Sequence, residues 1–303
     1  MCIRDSASSV AEIGAPLLGC DLTTESCRTA MNAIGGSAQN NGSPMGALTD
    51  SHGNAIDSVA TLNIPAGREI AFAGLYWSAN KYTTDAWKGA PNTIQLRAPG
   101  ATSSFKNVTG AVIADVTDNA NRSYYQSFAD VTAAVKAGGV GDWAATGAAV
   151  AASANDPTSN YYAGWALVVV YADALTGGNV TVFDGGAWVA TDQSTTLAFA
   201  AADNRNARVG VVAWEGDRNG SGGADALTLN TAALTPLMWD GTAGLPNDAF
   251  NSTATGSVFK NSFGTDAKSF GAAPLLDGIN RLTASTGSDQ YLIGVVTLTT
   301  TPH

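Results

Sequence analysis

The most distinctive polar segment of this 303-residue chain runs from Asp217 to Asp225. Oxygen-bearing side chains occupy its first, third, fifth and ninth positions, and a glycine occupies the sixth, as in a calcium-binding loop. The candidate ligands are Asp217, Asn219, Ser221 and Asp225. Thr228 stands where such a loop carries a bidentate glutamate, and a solvated turn between strands has the same composition. The segment predicts a calcium site, with a turn as the alternative.

Glu215 and Asp217 form the one carboxylate pair whose spacing suits hydrolysis. Glycoside hydrolysis needs two carboxyl groups, one as acid and the other as base or nucleophile. Two residues apart at a strand end, these side chains could face the same way. Acidic residues also stand at strand ends for solubility alone. A glycoside hydrolase is therefore kept as a second alternative, and no catalytic residue is assigned.

Nucleophilic and nucleotide-dependent chemistry finds no support in the sequence. The two histidines are His52, in a polar turn-like segment, and the terminal His303. The sequence contains no phosphate-binding glycine loop, no HExxH and no GxSxG. We expect no enzymatic activity and no cofactor apart from calcium.

Three aromatic residues in loop-like surroundings are candidates for ligand binding. Trp87, Tyr161 and Tyr162 could offer exposed ring faces on which a sugar stacks. Most of the other aromatic residues are expected in the hydrophobic core.

Cys20 and Cys27 flank a short polar loop, which is typical of a disulfide formed in an oxidising compartment. Two free thiols in a cytosolic protein are the alternative. The chain contains six lysines, any of which could form a covalent Lys–Asn cross-link of the kind known in some bacterial surface sandwiches. No local signature identifies its partners.

The composition excludes two classes of partner. The net charge is −10 without a basic cluster, so the chain lacks the positive footprint that nucleic acid requires. Its longest strongly apolar run, from Trp165 to Ala172, is far shorter than the roughly 20 residues of a membrane-spanning helix. Glycine-rich, charge-poor composition is typical of a β-rich, turn-rich extracellular protein.

The elements that must position these residues are short strands. Alternating or continuous apolar runs bounded by turn residues predict strands, and Asp130 followed by Gly138 predicts one short helix. We expect an all-β fold, a β-sandwich of jelly-roll type with one short helical turn. The predicted strands are 58–64, 69–78, 92–97, 104–108, 111–117, 142–152, 165–171, 179–183, 195–200, 207–215, 225–229, 281–285 and 290–299.

Three segments follow from this pattern. Residues 1–6 look like the translation of a sequencing adapter, so they are left out of fold reasoning and a signal peptide is presumed lost by truncation. Residues 7–57 are polar and weakly periodic, and are expected to form an irregular or short-stranded entry segment with the disulfide loop. Residues 58–303 are expected to form the β-sandwich domain. A stretch rich in Gly, Asn, Ser and Phe, 235–271, is expected as a loop excursion or an elaboration on one face.

Several blocks keep their order from about Leu18 to Leu298: 60–67, 73–77, 125–132, 162–171, 181–185, 215–217 and 289–291. Together they resemble one bacterial family, the N-terminal β-sandwich module of large secreted or cell-surface proteins that carry β-sandwich repeats of unknown function. The resemblance implies an all-β module at the bacterial surface, with a short disulfide loop where Cys20 and Cys27 fall. The family has no established catalytic residues, so none are carried over.

The sequence therefore predicts a non-enzymatic module, secreted or on the cell surface, with a structural or adhesive role. Its expected partners are a cell-wall component, a host or matrix protein, or a glycan. A calcium-assisted carbohydrate-binding module is the alternative.

Overall fold

The fold is described from a computed structural model. It covers residues 2–33, 43–100, 102–154, 160–174, 178–201, 205–218 and 224–302.

Strands dominate these residues, with two α-helices between them. The strands up to residue 151 are β1 (Cys2–Ser6), β2 (Ser8–Pro16), β3 (Leu18–Gly19), β4 (Gly46–Ala47), β5 (Ser58–Leu62), β6 (Ile70–Tyr82), β7 (Trp87–Lys88), β8 (Thr93–Arg97), β9 (Lys106–Thr109), β10 (Ala111–Thr117), β11 (Arg122–Asp130), β12 (Gly141–Thr146) and β13 (Val150–Ala151). Those that follow are β14 (Ala163–Ala172), β15 (Asn179–Val189), β16 (Ser194–Ala201), β17 (Arg205–Trp214), β18 (Ala226–Leu229), β19 (Ala232–Ala233), β20 (Thr265–Ser269), β21 (Ala273–Pro274), β22 (Gly278–Ser285) and β23 (Tyr291–Pro302). The helices are α1 (Glu25–Asn32) and α2 (Thr132–Gly138).

Four larger antiparallel sheets contain most of these strands. Sheet I has the order β5-β12-β8-β9, and sheet II has the order β10-β11-β6-β14-β2. Sheet III has the order β1-β15-β23-β17-β20, with β21 also paired to β17, and sheet IV has the order β16-β22-β18-β19. The short pairs β13-β7 and β3-β4 complete the pairing of named strands among the described residues.

Three hydrophobic cores hold the four sheets together. The first joins sheets I and II, the second joins sheets II and III, and the third joins sheets III and IV. Successive side chains of a strand point to opposite faces, and β14 shows the result. Trp165, Leu167 and Val169 lie in the first core, whereas Ala166 and Val168 lie in the second. Sheets II and III are therefore buried on both faces, which explains why the sequence of β14 is continuously apolar.

The prediction of an all-β sandwich is confirmed, and the structure shows that the sandwich is stacked four sheets deep. The helix predicted after Asp130 is also confirmed as α2. Asp130 Oδ1 accepts a hydrogen bond from the backbone N–H of Thr132, at 2.9 Å, at the start of this helix. In the described part of the chain, no helix combines the length and hydropathy needed to span a bilayer.

The prediction of an irregular segment over residues 7–57 is wrong for β2 and α1. β2 pairs with β14 over nine residue pairs, from Pro16 with Gly164 to Ser8 with Ala172, so it belongs to sheet II. Its weak periodicity reflects burial of both faces towards its C-terminal end. Residues 2–6 also pair with β15 at the edge of sheet III, so leaving them out of fold reasoning missed β1.

The disulfide prediction is confirmed, because Cys20 and Cys27 are bonded. Cys27 lies in α1, whose N-terminus is capped by Thr24: its Oγ1 accepts from the Cys27 N–H at 3.3 Å. Both cysteines and Met31 are buried in the first core. The disulfide therefore anchors α1 to the sandwich.

We expect loss of this disulfide to lower the free energy of unfolding by about 2–3 kcal/mol, the chain-entropy value for so short a loop. The measurement is urea unfolding of the wild type and of Cys20→Ser/Cys27→Ser, each with and without reductant. Reduced wild type should unfold at the same urea concentration as the double variant. An oxidised wild type with that same midpoint would contradict the stabilising role.

Candidate functional site

A group of buried acidic side chains lies where sheets II and III meet, at the C-terminal end of β17. We call Glu215, Asp217, Asp225 and Asp289 the acidic cluster. All four are at most 8% exposed. The Asp217 N–H donates to Asp289 Oδ2 at 3.0 Å, which joins the loop after β17 to the loop before β23. Residues more than seventy positions apart are thus brought together by the pairing of β17 with β23.

Asp225 is the least solvated member of the acidic cluster. Its side chain lies beside Thr286 and Asp289, yet neither carboxylate oxygen has a hydrogen-bond partner of standard geometry among the described residues. Its backbone is fixed, because the Asp225 carbonyl accepts from the N–H of Ala249 at 2.9 Å. Unpartnered carboxylate oxygens at a buried position favour either a proton or a bound cation.

Glu215 connects the acidic cluster to sheet II through one cation. Arg122 Nη1 lies 3.4 Å from Glu215 Oε1, and its Nε lies 4.0 Å from Asp118 Oδ2. Asp118 is satisfied by several donors, including Tyr124 Oη at 3.0 Å and Gln290 Nε2 at 3.0 Å. A single guanidinium therefore serves two carboxylates.

Burial raises the pKa of three members of the acidic cluster. It is the largest cause raising the pKa of Asp225, and the Asp289 carboxylate adds to it. Burial also raises the pKa of Asp289. The pKa of Glu215 is raised well above its ordinary range, first by burial and then by Asp217 and Asp289. Each of these shifts stabilises the protonated form of the carboxyl group relative to a solvated one, and for Glu215 the nearby Arg122 opposes the shift.

The predicted calcium ligands are only partly placed. Asp217 and Asp225 both lie in the acidic cluster, whereas Asn219 and Ser221 fall outside the described residues. Within the described residues, no group of three or more His, Cys, Asp or Glu side chains has a geometry that could hold a metal ion. Calcium binding stays a prediction.

The placement predicted for Glu215 and Asp217 is wrong. β17 ends at Trp214, and Glu215 adopts a positive φ of 75°. The two residues therefore do not lie on an extended strand end, and strand alternation does not set the direction of their carboxylates. The Glu215 N–H donates to the carbonyl of Gly264 at 2.7 Å, which fixes this turn against the start of β20.

The predicted exposure of Tyr161 and Tyr162 is also wrong, since they are 1% and 0% exposed. Tyr161 Oη lies 2.7 Å from Ser153 Oγ, and Tyr162 Oη lies 2.7 Å from Ser78 Oγ. Each ring is buried while its hydroxyl is satisfied, as expected of tyrosines in a core.

Trp87 is half-buried. Its ring packs edge-on against Tyr125, with 5.0 Å between ring centroids, and Lys81 Nζ lies 5.4 Å from its centroid. A role of Trp87 in ligand binding stays a prediction.

Sequence reasoning missed Asp289 and Arg122 as members of this site. The blocks 215–217 and 289–291 both belong to the family resemblance, which is the one signal that could have linked them. Their contact depends on the register of β17 and β23, and that register is not visible in either block alone.

No protein-family model matches this chain, and no curated protein matches its sequence. Among solved structures, BuGH86 in complex with neoagarooctaose is 8% identical, over 77% of this chain and 33% of its own, with a TM-score of 0.23. This chain thus spans about a third of the length of BuGH86.

Two further structures cover most of both chains. N-glycanase F (PNGase F) is 9% identical over 96% of this chain and 95% of its own, with a TM-score of 0.25. The CBM22-1-CBM22-2 tandem domain of Xyn10C from Paenibacillus barcinonensis is 10% identical over 80% and 90%, with a TM-score of 0.21. At these TM-scores none of the three supports a conclusion about this chain.

We expect Asp225→Asn to change the pH dependence of stability in cation-free buffer. A carboxyl group whose pKa is raised in the folded state stabilises the fold at low pH, and that contribution is lost as the pH rises through the raised value. The wild type should therefore lose stability between pH 4.5 and pH 8.5. At pH 8.5 the variant should be more stable by about 1–3 kcal/mol, the cost of a buried unsatisfied group.

The measurement is urea unfolding across this pH range. Asp277→Asn, at an exposed position, is the control and should follow the wild type. Parallel pH profiles for the wild type and Asp225→Asn would contradict the proposed protonation.

Proposed function

We propose that this chain is a non-enzymatic module of a bacterial secreted or cell-surface protein, with a structural or adhesive role. The observation that carries the proposal is the stack of four sheets, in which sheets II and III are covered on both faces. Extensive antiparallel pairing between buried strands resists local opening, because every inner hydrogen bond is shielded from water. Such a body suits a spacer or a rigid support for a binding surface.

The polar groups that could do chemistry are used here to join elements. Glu215 contacts Arg122 of sheet II, and Tyr161 Oη lies 3.2 Å from Asp85 Oδ2 in the loop after β6. Glu215 and Tyr161 are at most 4% exposed. Their contacts favour a structural role over one in substrate binding.

The Cys20–Cys27 bond supports export of the chain. Disulfides persist in oxidising compartments and are rare in the reducing cytosol. A cell-wall component, a host or matrix protein, or a glycan is the corresponding class of partner.

A calcium-assisted carbohydrate-binding module is a second candidate. The observation that favours it is Asp225, buried beside Asp289 and Thr286 with neither carboxylate oxygen in a hydrogen bond of standard geometry among the described residues. A calcium ion takes six to eight oxygen ligands, so it would use these oxygens together with others from the same loop.

We expect the full chain to bind bacterial cell-wall sacculi or a matrix protein equally well in calcium and in EDTA, without cleaving any glycan. The measurement combines pull-down on sacculi and matrix proteins with a broad glycan array and an assay for released sugar. Glu215→Gln should behave as the wild type does, and Glu69→Gln, at an exposed position, is its matched control.

Two results would overturn the main proposal. Release of sugar by the wild type but not by Glu215→Gln would make the protein a glycoside hydrolase. Glycan binding that EDTA and Asp225→Asn both abolish would establish the second candidate instead.

A further inference from the structure

A lysine, an asparagine and an aspartate meet in the interior beside β20. Lys268 Nζ lies 2.6 Å from Asn251 Oδ1 and 2.7 Å from Asp266 Oδ1. Lys268 and Asp266 are 0% exposed, and Asn251 is 2% exposed. Lysine is almost never fully buried, and the other five lysines of this chain are half-buried or exposed. The position of Lys268 is therefore exceptional within this protein.

The alternation of β20 places Lys268 and Asp266 on the same face. Their neighbours on β17 are Val211 and Ala213, which lie in the third core, whereas Ala267 between them lies in the second core. Two strand positions separate side chains that point the same way, so the carboxylate and the amine meet.

Buried aromatic residues lie next to members of this trio in the chain. Phe250 precedes Asn251, and its ring lies 6.4 Å from that of Phe270 and 4.3 Å from that of Tyr291, centroid to centroid. All three rings are fully buried in the third core. Because the three residues of the trio are themselves at most 2% exposed, the amine and the amide are held away from water, which would otherwise compete as a proton donor and a nucleophile.

The backbone at and just after Asn251 is held at two points. Arg218 Nε donates to the Asn251 carbonyl at 3.2 Å, and the Thr253 N–H donates to Asp266 Oδ1 at 3.0 Å. These contacts fix the asparagine against the strand that carries Lys268. The reacting groups are thus positioned before any bond forms, and this lowers the entropic part of the barrier to an intramolecular condensation.

The electrostatics also suit nucleophilic attack by the lysine. Burial is the largest influence on the pKa of Lys268 and lowers it, although Asp266 opposes the shift. Asp266 Oδ2 has no hydrogen-bond partner among the described residues, so it has room for a proton. Transfer of one proton from Lys268 to Asp266 would give a neutral amine next to a neutral acid.

We propose that Lys268 and Asn251 form an intramolecular isopeptide bond, with Asp266 as the proton carrier. The Nζ lone pair attacks Cγ of Asn251 while protonated Asp266 donates to Oδ1. A proton passes from Nζ to Nδ2 through the Asp266 carboxylate, the Cγ–Nδ2 bond breaks and ammonia leaves. The proton on Oδ1 returns to Asp266 as the carbonyl re-forms. An amide replaces an amide, so no oxidant, reductant or co-reactant is needed. This inference does not rest on the proposed function.

The bond would join the segment that carries Asn251 to β20 covalently. β20 is the last named strand of sheet III, and its outer edge pairs with the segment that follows Asn251: the Thr255 N–H donates to the Ala267 carbonyl at 2.9 Å. The cross-link would make this edge contact covalent. The structure thereby selects one lysine and one asparagine for the cross-link that the sequence left open.

The test is the intact mass of the reduced and denatured full chain. We expect a mass lower by one ammonia than the mass of the sequence. In a tryptic digest, peptide 219–260 should be joined to 261–281, because an acylated Lys268 is not cleaved. A folded wild type with the full sequence mass and separate peptides would overturn the proposal.

Variants assign the roles. Lys268→Met and Asp266→Asn should each show the full mass of their own sequences, whereas the control Lys260→Met should still lose ammonia. Circular dichroism establishes which variants are folded. If a core variant does not fold, the mass of the wild type still decides whether the isopeptide bond forms. Ammonia loss in Lys268→Met would overturn the choice of lysine, and ammonia loss in Asp266→Asn would overturn the role of the aspartate.

Discussion

The packing of sheet II against sheet III is the constraint on which the rest of this structure depends. Gln126 of β11 shows it most directly, because its side-chain amide donates to the carbonyls of Gly185 and Gly294 and accepts from Trp214 Nε1. One buried side chain of sheet II thus contacts three strands of sheet III. With this face occupied, each inner sheet has only its opposite face free, and sheets I and IV cover those faces.

Such a stack has a large interior, and polar groups inside it must be paired, hydrogen-bonded or neutral. Glu12 of β2 is one such group. Burial raises its pKa, while Thr297 and Ser269 of sheet III donate hydrogen bonds to its carboxylate. The acidic cluster and the trio around Lys268 are further solutions. In the acidic cluster, protonation or a bound cation would lower the cost of burying the carboxylates. In the trio around Lys268, the ion pair with Asp266 or the proposed covalent amide would do so for the buried amine.

Much of the strand pattern could be predicted from the sequence, because periodicity and turn residues are local. The continuous apolar run of β14 is typical of a strand that is buried on both faces. The stacking of four sheets could not be predicted, since it depends on which faces meet. β2 was missed because its doubly buried C-terminal half has no alternation, and Asp289 and Asn251 were missed because strand pairing, not sequence spacing, brings them to their partners.

Native-state hydrogen exchange tests the central claim most directly. If sheets II and III form one packed unit, the slowest-exchanging amides of β14 and β23 should open with the same free energy, equal to that of global unfolding. Exchange of β14 and β23 through openings of clearly different free energy would show that the two sheets unfold separately. That result would contradict the account of their contact as the basis of the fold.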